Sequence, residues 1–303
     1  MKLQLVVNPE ASTVKPDRAA LVESTLGRDH ELAVVETLYR GHAMDLAREA
    51  ASAGCEAVVV FGGDGTFNEA ANGLVGTETA LAVLPGGSTN VFARTIGSAR
   101  KVRPAVEQLR RALTRPPRRI GLGLVNGRYF LFHVGMGFDA AVVCEVERRP
   151  RLKRILGQGV FVYAAFATWF RGYDHTRPHL IVREGDRTLA DDGYFAICQN
   201  TNPYTYLGIR PLNVAPDAGL DRALTLTTIR TLELGTFLPI VASALGDGRK
   251  LREHPQVDYR TDVRSATVEG HDRFPYQVDG DYLGEAEQLT LTYEEDRLLL
   301  VMP

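Results

Sequence analysis

Gly62, Gly63 and Gly65 close an apolar, β-branched run, Val58-Val59-Val60-Phe61, and a helical pattern begins directly behind them. A strand that turns sharply into a helix presents free backbone N–H groups and the positive end of the helix dipole at the turn. Glycines there remove the Cβ atoms that would hold a phosphate away from the backbone. Thr66 can cap the helix or bind a phosphate oxygen through its hydroxyl. Asp64 stands beside them, and a carboxylate next to phosphates is repulsive unless a cation lies between. The combination points to a magnesium-nucleotide site. A glycine turn alone also serves merely to redirect a chain, so a second one carries weight. Leu81-Ala82-Val83-Leu84 ends in Pro85-Gly86-Gly87-Ser88-Thr89-Asn90, which opens the helical Val91-Phe92-Ala93-Arg94. Two successive strands ending this way place both loops at the carboxyl edge of one parallel sheet, where open α/β folds bind ligands. Neither loop is a Walker loop, since no Gly-Lys-Ser/Thr follows, and the spacing G-x-G-x-x-G is absent.

The elements that must carry these loops follow in chain order. Leu3 to Val7 reads as a buried strand closed by Asn8-Pro9, residues 16–27 as a helix with Pro16 near its start, and Glu31 to Thr37 as the second strand. His42 opens the next helix and reads as a surface or capping residue. The β-α alternation through residue 97 gives four parallel strands, a half-Rossmann pattern. Near residue 120 the organisation changes. Ile120 to Val125, Asn126-Gly127 and Arg128 to Val134 form a hairpin with a type I′ turn signal, and strands dominate from there. The domain boundary is therefore placed at about 120–126. Further strands are expected over 178–184, 187–189, 193–200, 224–229, 261–268, 276–279, 289–293 and 297–302, with a helix over 232–245. Tyr204 to Leu220 reads as a long loop, of the kind that is usually functional or metal-bound.

Length and composition bound the class. The chain has 303 residues, ample for two domains, with 45% hydrophobic and 24% charged residues, as in an ordinary soluble globular protein. A net charge of −2 argues against a dedicated nucleic-acid binder. No apolar run approaches the ~18 residues needed to span a bilayer. A strand begins almost at the N-terminus, leaving no room for a signal peptide. Cys55, Cys144 and Cys198 are odd in number and far apart, suggesting neither a disulfide framework nor a zinc site.

Gly62-Gly63-Asp64-Gly65-Thr66, then Glu69 and Asn72-Gly73, then Pro85 through Arg94, together resemble the catalytic domain shared by diacylglycerol kinases, sphingosine kinases and bacterial lipid kinases. NAD kinases and phosphofructokinases share the first loop more loosely. The resemblance spans nearly the whole chain. It implies a Rossmann-like α/β N-terminal domain over 1–124, similar to phosphofructokinase and NAD kinase, and a mainly antiparallel β-sandwich over 125–294 that takes the lipid. The apolar strand at about 295–303 needs burial and is a candidate to return to the first domain. Gly135-Met136-Gly137-Phe138-Asp139 resembles the glycine-rich start of the family's second domain. ATP and Mg²⁺ are the implied cofactors. The implied nucleotide contacts are Asn8, Thr37, Gly62, Gly63, Asp64, Gly65, Thr66, Asn68, Glu69, Gly86, Gly87, Ser88, Thr89 and Asn90, with Asp64 serving the cation through water. Asp279-Gly280-Asp281 matches the family's Asp-Gly-Glu motif, which makes Asp279 the implied base for the acceptor hydroxyl. Two carboxylates two residues apart on a strand share a face, so Asp281 is expected in the metal-water network. Asp221, with the carbonyls of Ala218 and Ala223, matches a structural magnesium site. Three departures from the family's pattern stand out: Val91 where many bacterial members have Asp, Asp281 where Glu is usual, and Arg222 where Gly follows the metal aspartate.

The function so implied is an ATP-dependent lipid kinase, transferring the γ-phosphoryl group to diacylglycerol or a related lipid alcohol in a cleft between domains. An NAD kinase-like enzyme and a catalytically weak lipid- or nucleotide-binding regulator are the alternatives. The expected location is cytoplasmic, peripheral at the inner face of the membrane, with a homodimer left open. Residues 94–119 carry nine Arg or Lys against the single acid Glu107, either a solvated helix face or a side resting on anionic headgroups. The segment 159–170 is apolar nearly all round and flanked by Arg148, Arg149, Arg151, Lys153, Arg154 and Arg171, either a core helix or a lipid-facing wall.

Overall fold

The structure, a computed structural model, describes residues 1–148, 168 and 173–303. The apolar segment 159–170, apart from Thr168, and most of its basic flanks lie outside the described residues. The chain divides into two compact units, Met1–Leu122 with Glu295–Pro303, and Gly123–Glu294.

In the first unit, strands β1 (Lys2–Val7), β2 (Glu31–Glu36), β3 (Ala57–Gly62) and β4 (Ala80–Pro85) alternate with helices α1 (Pro16–Leu26), α2 (His42–Ser52) and α3 (Asp64–Leu74). The strands pair in parallel in the order β2-β1-β3-β4. β3 and β4 are buried at every position, which is why their sequences read as unbroken apolar runs. β2 lies at the edge and is mostly exposed. The short α4 (Val91–Thr95) and then α5 (Val102–Ala112) follow β4. Val102, Ala105, Val106, Leu109 and Ala112 bury one stripe of α5 among Leu3, Leu5, Val59 and Leu84. Its basic side is a solvated face, with Arg110 bonded to Asp29 at 2.9 Å and to Glu107 at 3.2 Å. The chain end closes this unit: Leu300 pairs in parallel with Leu81, and Val301 N donates to Leu81 O at 2.9 Å.

The second unit is built almost wholly from antiparallel strands. β5 (Arg118–Val125), which runs across the boundary after Leu122, forms the expected hairpin with β6 (Arg128–Phe130), with Asn126 and Gly127 at φ 47° and 84° as a type I′ turn requires. The expected strand over Arg128 to Val134 is broken at Leu131-Phe132, and β7 (His133–Gly137) begins afresh. α6 (Phe138–Glu147) follows, then β8 (Leu180–Glu184), β9 (Arg187–Gly193) and β10 (Phe195–Gln199). The expected long loop at 204–220 contains a small hairpin, β11 (Thr205–Leu207) with β12 (Arg210–Leu212). After it come β13 (Leu224–Ile229), α7 (Leu234–Ala244), α8 (Arg249–Arg252), β14 (Val257–Val263), β15 (Ser265–Val278) and β16 (Asp281–Leu300). The strands run in the order β14-β13-β10-β7-β15. β15 carries a register shift between Glu269 and Phe274, pairing β8 before it and β7 after it. That bend folds the strands over one core, in which Leu180 and Val182 of β8 meet Val134, Met136, Ala196 and Cys198 of β7 and β10. All three cysteines are free thiols, Cys55 and Cys198 buried. Among the described residues no helix is long and apolar enough to cross a membrane.

Candidate functional site

β3 and β4 run side by side with Gly62 opposite Pro85, so their two terminal loops adjoin. Gly86 N donates to Gly62 O at 2.7 Å. A Cβ on Gly86 would lie 3.0 Å from the backbone N and Cα of Gly62, and one on Gly87 only 2.9 Å from Gly63 Cα. Backbone therefore packs on backbone between the loops, a demand for glycine that is independent of any ligand. Asn90 ties the second loop: Gly87 N donates to its Oδ1 and its Nδ2 donates to Gly87 O, both at 2.7 Å. Asn90 itself is left-handed at φ 51°, which Asn tolerates. Ser88 is exposed and Thr89 half-exposed at the rim.

The first intrahelical bond of α3 runs from Phe67 N to Gly63 O at 3.0 Å. The amides of the three residues before it therefore point out of the helix end, as an anion requires. Of the two roles open to Thr66, the helix cap is taken by another residue. Gly63 holds that position and Thr66 is the third residue of the helix, its hydroxyl accepting from Asn8 Nδ2 at 2.8 Å. Asn8 also turns its Oδ1 to Glu10 N at 3.0 Å, so it braces the end of β1 against the glycine turn. Asp64 joins the two loops. Its carboxylate accepts the amides of Val91 at 2.8 Å and Phe92 at 3.0 Å, capping α4 from the start of α3. Val91, which replaces the family's common Asp, is buried. Glu69 caps α2, accepting from Gly41 N at 2.8 Å and Ala43 N at 3.3 Å. Asn68 is buried within α3 and receives Asn72 Nδ2, while Thr37 hangs its amide on Val7 O at 2.9 Å just past β2. Asn8, Asp64, Thr66 and the two glycine loops are thus brought together at one sheet edge.

Asp279 sits in the second unit, in a two-residue turn. Val278 pairs with Asp281, and Asp279 and Gly280 take φ 49° and 83°. This is a type I′ hairpin, so Asp279 is not on a strand and the expectation that it shares a face with Asp281 does not hold. Its carboxylate is buried and accepts three consecutive amides, Leu131 at 2.7 Å, Phe132 at 2.9 Å and His133 at 3.0 Å. Those three bonds draw the chain out of the strand line and break the hairpin strand at 131–132. Asp281, half-exposed, pairs with Arg128 at 3.6 Å.

A polar layer beside Asp279 escaped the sequence reading. His133 lies opposite Gln199, Gln199 opposite Thr225, and Gly135 opposite Gln277, so these residues share one face of the sheet. Asp139 lies over Gly135, its carboxylate accepting Tyr204 Oη at 2.6 Å and Gln277 Nε2 at 2.9 Å. Exclusion of water pushes that carboxyl upward, against the two hydrogen bonds. The same exclusion lowers the His133 imidazole to about 3, so it is neutral, and neither ring nitrogen has a partner among the described residues. The available signal was polar residues at strand positions within otherwise apolar runs.

Among the described residues no three His, Cys, Asp or Glu side chains cluster as a cage. Asp221 is exposed, and the carboxylates around its loop are engaged elsewhere: Asp217 by Tyr259 and Arg252, Asp262 by Arg222. The loop turns are closed by Ala218 N donating to Ala215 O and Arg222 N donating to Gly219 O. At the glycine loops one carboxylate stands at the turn, that of Asp64. Mg²⁺ commonly takes one or two carboxylates plus phosphate oxygens and water, and Asp64 is such a carboxylate.

The first unit is therefore a parallel α/β domain with two adjoining glycine turns at the carboxyl edge of its sheet. Residues 2–120 match the family model described as the diacylglycerol kinase catalytic domain. A probable lipid kinase YegS-like from Chromohalobacter salexigens is 37% identical over 190 residues, covering 61% of this chain and 58% of its own length. The chain thus spans little more than half of that relative. The diacylglycerol kinase of Bacillus subtilis is 27% identical over 292 residues, covering 93% of this chain and 90% of its own. A solved structure of a putative diacylglycerol kinase from Bacillus anthracis superposes with a TM-score of 0.79 at 20% identity, over 100% of this chain and 97% of that one. Another, described as a diacylglycerol kinase from the same organism, gives 0.74 at 18% over the same shares. Identities this low show the fold alone.

Proposed function

We propose that the protein is a kinase that transfers the γ-phosphoryl group of ATP to the hydroxyl of diacylglycerol or a related lipid alcohol. The observation that carries this reading is the fusion of two glycine turns, braced by Asp64, inside residues that match the diacylglycerol kinase catalytic domain model. The amides at the start of α3 bind the phosphates, and Gly86, Gly87 and Asn90 shape the wall beside them. Mg²⁺ carried by the nucleotide supplies positive charge that offsets the phosphates, and Asp64 would hold it through water. Phosphoryl transfer also needs the acceptor hydroxyl oriented and relieved of its proton. Asp279 is the proposed base, with Asp281 as its companion. A carboxylate offers about four acceptor positions and three are taken by amides, so Asp279 is fixed in place before substrate arrives. The Asp139–Tyr204–Gln277 group and His133 stiffen the strand that bears those amides.

Purified protein incubated with labelled ATP and a panel of lipid alcohols, with NAD as a further acceptor, tests the reading. Labelled phospholipid is the expected product. Label on NAD alone, or tight nucleotide binding with no product from any acceptor, would overturn it.

A further inference from the structure

α7 is apolar on two faces. Phe237, Ile240 and Ala244 pack into a core with Phe138, Phe195 and Val214, yet Leu234, Leu238 and Leu245 are 36%, 53% and 40% exposed on the adjoining flank. Spacings of four and seven residues align them in one stripe. No charged residue falls between Glu233 and Asp247. The β11–β12 hairpin adjoins this helix, since Asn213 donates its amide to Ala244 O and its Nδ2 to Gly246 O, both at 2.6 Å. The hairpin tip carries Ile209, 74% exposed, next to the exposed Arg210. Among the described residues, these four are all the large apolar side chains that the second unit exposes. They are gathered on two neighbouring elements, where chance would scatter them. α8, starting four residues on from Leu245, carries Arg249, Lys250 and Arg252. Arg249 and Arg252 pair with Asp247, Asp217 and Glu253 at 3.3–3.8 Å, partly exposed contacts of a kind that contribute little and exchange readily.

We propose that the outer stripe of α7 and the tip of the β11–β12 hairpin enter the surface of an anionic lipid bilayer, with Arg210, Arg249 and Lys250 meeting its phosphates. The occupant follows from the pairing of an acid-free apolar stripe with margins where Arg210, Arg249, Lys250 and Arg252 outnumber Glu233, Asp247 and Glu253, a charge balance that favours an anionic headgroup layer. The inference rests on the reading of the acceptor as a lipid alcohol, which a bilayer delivers. Leu and Ile side chains reach only the boundary between headgroups and acyl chains, so the association is shallow and reversible.

Flotation of the full chain with vesicles of phosphatidylcholine, alone or mixed with phosphatidylglycerol, tests it. The protein is expected to float with the mixed vesicles and to be released by salt. Leu238→Glu should weaken partition about tenfold or more, and Lys250→Ala about fivefold. Both positions are exposed, and unchanged thermal unfolding checks that each variant is folded. A wild type that floats with neither vesicle, or a Leu238→Glu variant that floats as wild type does, overturns the proposal. So does a homo-oligomer that Leu238→Glu splits without altering flotation. Phosphorylation of a dispersed short-chain diacylglycerol is read separately. That activity intact with no vesicle binding removes the docking surface alone, whereas vesicle binding that depends on Leu238 without activity removes only the kinase reading.

Discussion

Asp279→Asn is expected to destabilise the second unit by about 3–5 kcal/mol before any catalytic effect is counted. The wild-type carboxylate accepts the amides of Leu131, Phe132 and His133 at 2.7, 2.9 and 3.0 Å. Asn suits the left-handed turn as well as Asp does, so backbone conformation drops out of the comparison. Its side chain has one acceptor oxygen and one donor nitrogen. With the oxygen left on Phe132 and His133, the new NH₂ faces the Leu131 amide, donor against donor. One buried N–H then loses its partner, about 1–3 kcal/mol, and two bonds lose their charge, about 1 kcal/mol each. Asp281→Asn is the control, since it removes a pair with Arg128 at 3.6 Å worth less than about 1 kcal/mol. Urea unfolding read by circular dichroism gives the difference, and amide exchange at residues 131–133 localises it. If Asp279→Asn falls within about 1 kcal/mol of wild type and the Leu131 amide exchanges no faster, the amide cage is not stabilising and the reasoning fails. Loss of turnover in this variant implicates Asp279 as a base only under conditions where its second unit is still folded.

Gly87→Ala places a methyl 2.9 Å from Gly63 Cα, so nucleotide affinity should fall about tenfold and stability by about 1–3 kcal/mol; calorimetric titration with an ATP analogue that shows unchanged affinity would disprove the contact between loops. Asp64→Ala frees the amides of Val91 and Phe92, about 2 kcal/mol, and faster exchange at those two amides is the check. His133 falls from 6.5 to about 3 on folding, so the unfolded chain takes up the proton first as pH drops. Its contribution is complete above about pH 6.5 and is lost toward pH 3 at about 1.4 kcal/mol per unit. Wild type should therefore lose about 2 kcal/mol between pH 7 and 5 that His133→Phe retains, and parallel pH profiles would refute it.

The first unit was readable because β3 and β4 are covered on both faces, so Val58 to Phe61 and Leu81 to Leu84 stand out as apolar runs, each broken by glycine. The strands of the second unit were harder. β15 and β16 each read as two short strands, because exposed stretches such as His271 to Arg273 and Glu295 to Arg297 interrupt the alternation while the backbone stays extended. At the site, residue types were legible but partners were not. Asp279 meets amides 146–148 positions away, Asp64 caps a helix 27 positions on, and Glu69 caps one 26 positions back. Such bonds leave no local pattern, and a carboxylate beside glycine reads the same whether it faces a cation or an amide. The neutral His133 and its polar neighbours were hidden for the same reason, since their burial is set by α6 and Tyr204 from elsewhere in the chain.

Leu300 on Leu81 has a temporal consequence. A ribosome delivers β4 long before it delivers residues 295–303, so that flank of the sheet stays an unsealed seam while the whole intervening body is being made. The half of the molecule that is translated first is thus the last to be finished, and a product stopped short of Leu300 would carry the glycine turns on a sheet with an unguarded margin.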